Sequence, residues 1–550
     1  MNSNLIKKYS PSKPINIKNR TWPDNNITIS PTWCSVDLRD GNQALINPMN
    51  MDQKLSLFKL LVDIGFKEIE VGFPSAAQVE FDFLRNLIDN NLIPDDVTVQ
   101  VLCQARKHLI DRTFEAIDGA KNVIFHIYNS TSTAQREIVF QKSKQEIKDI
   151  ACQGINWVNE NLSKTASNIR LQYSPESFTG TEIEYAVDVC ESVLDTWAGQ
   201  KPVIMNLPAT VELFTPNIYA DMIEWFITRF SRPNEIIVSV HTHNDRGTGV
   251  AASEFGVMAG ATRVEGTLFG NGERTGNVDI ITLALNLYTQ GVETNLDLHG
   301  LDKIIDVYKS CTNLPVHPRH PYVGELVYTA FSGSHQDAIK KGLASRKALN
   351  KEKWDIPYLP IDPSDLGQTY EAVIRINSQS GKGGVAYIME NEYGCSLPKT
   401  MHPEFSKLIQ KLTETSGKEI SSKAIYTCFK DSYLNQISPY ELIKFKSAQN
   451  EINETSITLT LKIDGKEFTI DGTGNGPIDA CKQALLSYTK NFKILNYSEH
   501  SLSEGSDSKA IAYIQLESES ENQCYGVGID SSINLASIKA LFSALNRLGN

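Results

Sequence analysis

Along the first half of the chain, short apolar, β-branched runs alternate with longer stretches in which apolar residues recur every three or four positions. Strands buried on both faces give the first pattern and amphipathic helices the second. The runs that read as strands are Thr32–Leu38, Glu68–Phe73, Val97–Leu102, Val123–Ile127, Ile169–Tyr173, Val203–Leu207, Ile236–Val240 and Val264–Leu268. Helical spacing fits between them, as at Met51–Ile64, Ser143–Val158, Glu182–Leu194, Tyr219–Phe230 and Val250–Ala259. Eight such units within residues 29–300 predict an α/β fold, a closed (β/α)8 TIM barrel, with a doubly wound sheet as the alternative.

Past Gly300 the rhythm stops. Residues 301–436 read as helical linker subdomains: Leu301–Cys311 is amphipathic, and Pro315, Pro318 and Pro321 then break the chain. Ser378–Gly384 reads as a glycine-rich turn before a strand-like Val385–Met389, without the spacing or following helix of a phosphate-binding P-loop. Residues 437–550 form an α+β domain with an internal βββα repeat. Ser456–Leu461 and Lys466–Asp471 are strands joined by the hairpin signal Asp464-Gly465, and Gly472–Ala480 opens a helix. The order returns with Ala510–Glu517, Gln523–Gly528 and a helix opening at Ser531–Ala536. Helix entrances attract carboxylates, so two of them in a repeat suit an amino acid effector. Residues 1–28, with Lys7, Lys8, Lys13, Lys18 and Arg20, read as a frayed basic arm.

Composition narrows the class. The 550 residues are 41% hydrophobic and 21% charged, as in ordinary globular proteins, and the formal charge of −12 argues against a nucleic-acid partner. Nine cysteines without a CxxC pair fit a reducing compartment, hence a cytoplasmic location. No apolar run is long enough to span a membrane, so no membrane association is expected.

In a barrel of this kind chemistry gathers at the C-terminal ends of the strands. Those ends carry Arg39 and Asp40, then His126, Glu176, Asn206 with Thr210, His241 and His243, and Asn277. Residues two apart on a strand share a face, so His241 and His243 point the same way. With Asp40 and an amide oxygen from Asn277 they suit a six-coordinate divalent ion with two positions left for a 2-oxo acid. Individually, Asp40 and Asn277 also read as helix caps. Arg39 stands where it balances charge on the oxo acid.

Leu38-Arg39-Asp40-Gly41-Asn42-Gln43, His241-Thr242-His243-Asn244-Asp245 and Gly270-Asn271-Gly272-Glu273-Arg274-Thr275-Gly276-Asn277 resemble the signatures of the metal-dependent Claisen-condensing acyltransferases. The resemblance covers nearly the whole chain. It implies that acetyl-CoA, as co-substrate, adds to 3-methyl-2-oxobutanoate, and that thioester hydrolysis releases 2-isopropylmalate and CoA. Citramalate and homocitrate synthases, and a retro-aldol lyase on the same barrel, are the alternatives.

The resemblance makes Asp40, His241, His243 and Asn277 the metal shell, for Mg²⁺ first and Mn²⁺ or Zn²⁺ otherwise. It implies that Arg39 polarises the keto oxygen, that Thr210 holds the oxo acid carboxylate, and that Glu176 lies near the reacting carbons. Leu102, His126, Ser174 and Asn206 would line the side-chain pocket. His335 in Phe331–Gly342 and Tyr358 in Trp354–Pro360 are similar to acid–base residues that act on the partner subunit's site, which requires a homodimer. Lys382 near CoA phosphates is an alternative to the structural turn. The C-terminal repeat corresponds to a leucine-binding regulatory domain, with Gly474, Asn475, Gly476, Pro477 and Asp479 in its first copy.

Overall fold

The computed structural model describes residue 8 and residues 14–330, 332–368, 382–416, 420–449, 454–463, 465–503 and 508–548. Eight parallel strands close into a barrel: β1 (Thr32–Ser35), β2 (Glu68–Gly72), β3 (Thr98–Gln104), β4 (Asn122–Ser130), β5 (Asn168–Glu176), β6 (Val203–Ala209), β7 (Ile236–Thr242) and β8 (Arg263–Gly266). Closure runs through β1, which pairs Cys34 with Glu68 of β2 on one side and Glu265 of β8 on the other. Every expected strand is present. The first is shorter than its pattern suggested, because after Ser35 the chain turns into one π-helical turn, Asp37–Gly41.

Helices such as Met51–Ile64 and Lys144–Leu162 cover the barrel, each opened by a capping box, from Asn50 and Ser143 respectively. Their apolar stripes pack on the outward residues of the strands. The inward residues are unusual for a barrel core: Glu68, Glu70, Gln100, Gln172, Arg263 and Glu265 are all buried. Among them Arg263 bonds Glu68, Glu265, Gln100 and Ser239, so the buried charges are paired as burial demands.

The N-terminal arm is not frayed where it is described. Arg20 makes a bidentate pair with Asp221 at 2.7 Å, and Trp22 is buried, with its indole N–H on the same carboxylate. The acidic face of the helix Pro216–Arg229 supplies the partners that the sequence pattern left unassigned.

Two compact units divide the chain, residues 1–327 with 361–368, and residues 328–360 with 369–550. The stretch 301–436 is thereby shared between them. In the second unit, helices His402–Ser416 and Ser422–Tyr433 pack on the sheet through Phe405, Phe429 and Tyr433 against Tyr513, Tyr525 and Val527. Val385–Met389 lies inside the helix Lys382–Tyr393 rather than in a strand. Val385, Ile388 and Met389 share the three-to-four spacing of a helix face and join that core, which an apolar run this short does not distinguish from a strand. Of the glycine-rich turn, residues 378–381 lie outside the described residues.

The C-terminal repeat is complete. β9 (Tyr440–Gln449), β10 (Thr455–Ile463) and β11 (Lys466–Gly474) form one antiparallel sheet; β12 (Phe492–Ser501), β13 (Ala510–Ser518) and β14 (Gln523–Asp530) form the other. Each is followed by a helix, Pro477–Leu485 and Ile533–Leu548, and both helices share one core with the sheets. Asp464 of the hairpin signal lies outside the described residues, but Ile463 and Lys466 pair across that turn.

Candidate active site

The strand pleat sets the site in two levels. At the upper level the inward side chains Leu102, His126, Ser174, Asn206 and His241 line a cavity of about 170 Å³ at the barrel's C-terminal mouth, together with Arg39, Asp40, Glu176, Thr210 and His243. One pleat below lie Gln100, Gln172 and Glu265, and the hydrogen bonds of Gln100 and Glu265 reach upward to His126, His241 and Asn206.

His241 and His243 face the same way, with ring centroids 5.4 Å apart. Each ring is fixed by its Nδ1: His241 on Glu265 at 2.9 Å, His243 on the Gly276 carbonyl at 3.2 Å. Both Nε2 atoms therefore turn to Asp40 Oδ2, at 3.3 and 3.7 Å. The other oxygen, Oδ1, takes the Arg39 guanidinium at 2.8 Å. Asp40 Oδ2 is buried and has no hydrogen-bond partner, and the three ligand atoms lie within 4.8 Å of one another.

Electrostatics say what belongs there. Burial pushes Asp40 up, but Arg39, His241 and His243 outweigh it and hold the carboxyl well below the usual range. Burial presses His241 down, yet the adjoining Asp40 and Glu265 carboxylates raise it to about 9. Burial and the neighbouring His241 charge lower His243 to about 4. One proton on His241 thus balances Asp40 at a point where two imidazoles and a carboxylate converge. A divalent cation fits that donor set, with Nε2 of both rings and Oδ2 as ligands and second partners already holding the rings.

Asn277 stands beside His243. It bridges His243 through the backbone, and its amide N–H bonds the Asn271 carbonyl at 3.0 Å. Its Oδ1 is buried without a partner, as a ligand oxygen would be, although the side chain borders the adjacent cavity beside Thr248 and Asp279. The helix after β8 is capped by Asp279, so the capping alternative for Asn277 does not hold.

The substrate-pocket residues form one hydrogen-bonded chain. Asn206 donates to Ser174 Oγ at 3.0 Å, His126 Nε2 meets the same oxygen at 2.7 Å, and His126 Nδ1 meets Glu70 at 2.8 Å. Glu70 also binds Arg39, so one buried carboxylate orients both a pocket residue and the cation beside Asp40. Thr210 Oγ1 accepts the Ser177 N–H at 2.9 Å, which leaves its own O–H to donate into the cavity. Glu176 accepts from Ser130 at the cavity wall.

Tyr128, Gln43, Glu273 and Arg274 also line the cavity and were not among the expected site residues. The deeper partners Glu70, Gln100, Gln172, Arg263 and Glu265 were missed as well. Their signal was present in Glu68-x-Glu70 and Arg263-x-Glu265, charges two apart on runs that must be buried.

His335 and Tyr358 belong to the second unit, where their rings stack at 3.9 Å and both are exposed. In that unit, Asn475, Gly476, Pro477 and Asp479 line a cavity of about 760 Å³ with Tyr497 and Ser537. It lies where the two helix entrances of the repeat meet. Gly474 stands behind it; a Cβ there would fall 2.5 Å from the Ala480 nitrogen. Lys482 and Lys493 add positive charge to the lining, as a carboxylate ligand requires.

Comparison with known proteins agrees over the full length. Residues 30–307 match the HMGL-like family, 325–390 the alpha-isopropylmalate synthase post-catalytic domain-like family, and 419–549 the LeuA allosteric (dimerisation) domain. The chain is 54% identical to a 2-isopropylmalate synthase of Clostridium acetobutylicum, covering 99% of each chain. It is 51% identical to one of Rhodospirillum rubrum, again over 99% of each. No described helix is long and apolar enough to cross a membrane.

Proposed function

Since this chain belongs to the 2-isopropylmalate synthase family, we propose that it condenses acetyl-CoA with 3-methyl-2-oxobutanoate and hydrolyses the thioester, releasing 2-isopropylmalate and CoA. The observation that carries the reading is the convergence of Asp40, His241 and His243 beside Arg39 at a cavity sized for a small branched acid. The metal, Mg²⁺ first with Mn²⁺ or Zn²⁺ as alternatives, would be held by those three and Asn277. When bound it supplies Lewis-acid polarisation of the oxo acid carbonyl.

The chain's own residues do the rest. Thr210 donates to the oxo acid carboxylate, and Arg39 stabilises charge growing on the keto oxygen. Leu102, His126, Ser174 and Asn206 enclose the isopropyl group. A base removes a proton from the acetyl methyl, the resulting carbanion attacks the keto carbon, and the keto oxygen takes up a proton. Water then cleaves the thioester, so that CoA leaves as the thiol. Glu176 sits beside the reacting carbons, and His335 with Tyr358 moves protons from the partner subunit of a homodimer. Leucine binds the C-terminal cavity through Asn475, Gly476, Pro477 and Asp479, with Gly474 allowing the close approach, and inhibits.

The test is thiol release from acetyl-CoA with 3-methyl-2-oxobutanoate, pyruvate or 2-oxoglutarate, with and without EDTA and leucine. EDTA-sensitive release strongest with 3-methyl-2-oxobutanoate and suppressed by leucine is expected. Release only with another oxo acid would assign a sister condensing enzyme, and none with any oxo acid would overturn the reading.

A further inference from the structure

Three loops at the barrel mouth are tied together by side chains to which the reaction assigns no part. After β6, β7 and β8 the chain presents Thr210, Asp245 and Arg274. The Arg274 guanidinium makes a two-point pair with Asp245, Nε to Oδ1 at 2.7 Å and Nη2 to Oδ2 at 3.1 Å. The same Nη2 donates to the Thr210 carbonyl at 2.6 Å. Asp245 Oδ2 in turn accepts the Glu212 N–H at 2.9 Å, and the Glu212 carboxylate accepts the Arg246 N–H at 2.5 Å. Glu212 also takes the Thr248 hydroxyl. The β6 and β7 loops therefore cap each other reciprocally, each through a carboxylate on the other's backbone.

The backbone is shaped to deliver this contact. Arg274 sits at φ +58°, a left-handed conformation that side-chain-bearing residues rarely adopt. Gly276 lets the loop double back: at φ +94°, a Cβ there would fall 1.8 Å from the Gly270 carbonyl. Local strain of this kind persists only where surrounding contacts over-determine it, and the arginine's three bonds do so.

We propose that Arg274 and Asp245 are positioning residues for Thr210, forming a buckle that holds its hydroxyl toward the carboxylate of the bound oxo acid. The inference rests on the proposed function and deepens it. The guanidinium charge is matched by Asp245, so the pair contributes geometry rather than a free cation. A two-point pair with a planar guanidinium fixes orientation, which an ammonium group does not reproduce. Neither side chain bonds Asp40, His241 or His243, so the buckle acts chiefly on oxo acid binding, although the loop that carries Arg274 also carries Gly276 and Asn277.

The test uses the full-length protein and the variants Arg274→Met, Arg274→Lys, Asp245→Asn and the double variant Arg274→Met/Asp245→Asn. Steady-state thiol release gives KM for 3-methyl-2-oxobutanoate and kcat; Mn²⁺ titration followed by electron paramagnetic resonance gives metal affinity. The expected result is a rise of about tenfold in KM for each single variant, with kcat and Mn²⁺ affinity within about twofold of wild type. The double variant should be no worse than either single one, since the two residues act as one unit. Arg274→Lys should recover little. A rise in KM for Arg274→Met but not for Asp245→Asn would make the arginine a direct substrate ligand and overturn the buckle. Unchanged KM in both would also overturn it. Absence of turnover in the wild type would instead sink the proposed function, and is read before any variant. Both side chains are partly exposed, at 38% and 19%, so the variants are expected to fold, which thermal melts verify independently.

Discussion

The carboxylate of Glu265 accepts the Nδ1 proton of His241 at 2.9 Å from a position with no exposure to solvent. Its other oxygen accepts from Arg263, Gln100 and Gln172, so three side chains fix the acid that fixes the histidine. The same Oε2 takes the Asn206 amide at 3.1 Å, which links the metal ligand to the substrate pocket.

This predicts a loss of metal affinity in Glu265→Gln. An uncharged amide neither orients His241 as firmly nor raises its basicity, and outer partners of metal-bound histidines contribute about 10- to 100-fold in affinity. Mn²⁺ binding to the folded variant should weaken by that factor. Apo stability should also fall, by up to about 3 kcal/mol, because Arg263 keeps only Glu68 as a counter-charge. Mn²⁺ affinity equal to wild type in a variant with native circular dichroism would refute the role.

The pocket makes a second prediction. Leu102 is 8% exposed and faces a cavity of about 170 Å³. Leu102→Phe removes room from that cavity. The value of kcat/KM for 3-methyl-2-oxobutanoate should drop about 10- to 100-fold, while that for pyruvate changes less than about threefold, the scale on which a hydrophobic pocket discriminates methyl groups. Equal losses for both acids would mean that Leu102 only packs the barrel.

How far the sequence carries is plain from the pleat. Leu102, His126, Ser174, Asn206 and His241 stand at strand ends, where barrel topology directs attention, and the structure brings all five to one cavity. Gln100, Gln172 and Glu265 lie one step deeper on the same faces and are hidden, because runs such as Val97–Leu102 and Ile169–Tyr173 are read by their apolar majority. A buried charge in a strand becomes visible only once its partner is, and Arg263 meets Glu68 across 195 residues of sequence. The same limit explains Val385–Met389: whether a short apolar run is helix or strand is decided by the core it joins. His335 and Tyr358 stack on each other in the second unit, but sequence carries no information on which surface they meet.

A third prediction concerns the regulatory unit. Gly526 of β14 lies under the helix Ile533–Leu548, and a Cβ there would fall 2.0 Å from the Ala544 nitrogen and 2.5 Å from the Ala540 carbonyl. Backbone atoms cannot yield as a side chain can, so Gly526→Ala must push the helix off the sheet. Overpacking of this kind costs about 1–3 kcal/mol. The variant should lose leucine inhibition and show a lower melting transition, while Mn²⁺ binding at the barrel stays at the wild-type value. Leucine inhibition retained in full would show that the helix accommodates the methyl group.

The last prediction is a pH dependence set away from the metal. Arg136, buried at the turn after β4, makes a two-point contact with Glu182 at 2.8 Å and donates to the Thr131 carbonyl at 2.6 Å. The hydrogen bond from Arg136 lowers the Glu182 carboxyl from 4.5 to about 2, against the opposing effect of burial. A carboxyl with a depressed folded value stabilises fully above its unfolded value and loses that contribution as pH falls through the window from 4.5 toward 2. Glu182 is 38% exposed, so solvent screening reduces the contribution to about 1 kcal/mol. Glu182→Gln should therefore melt below wild type by a few degrees at pH 7, consistent with about 1 kcal/mol in a large domain. The gap should narrow steadily as pH drops from 5 to 3.5, because over that range the unfolded chain's carboxyl takes up a proton while the folded one, held near 2 by Arg136, stays ionised. A gap that stays constant over that range would show that the Arg136 contact contributes through shape rather than charge.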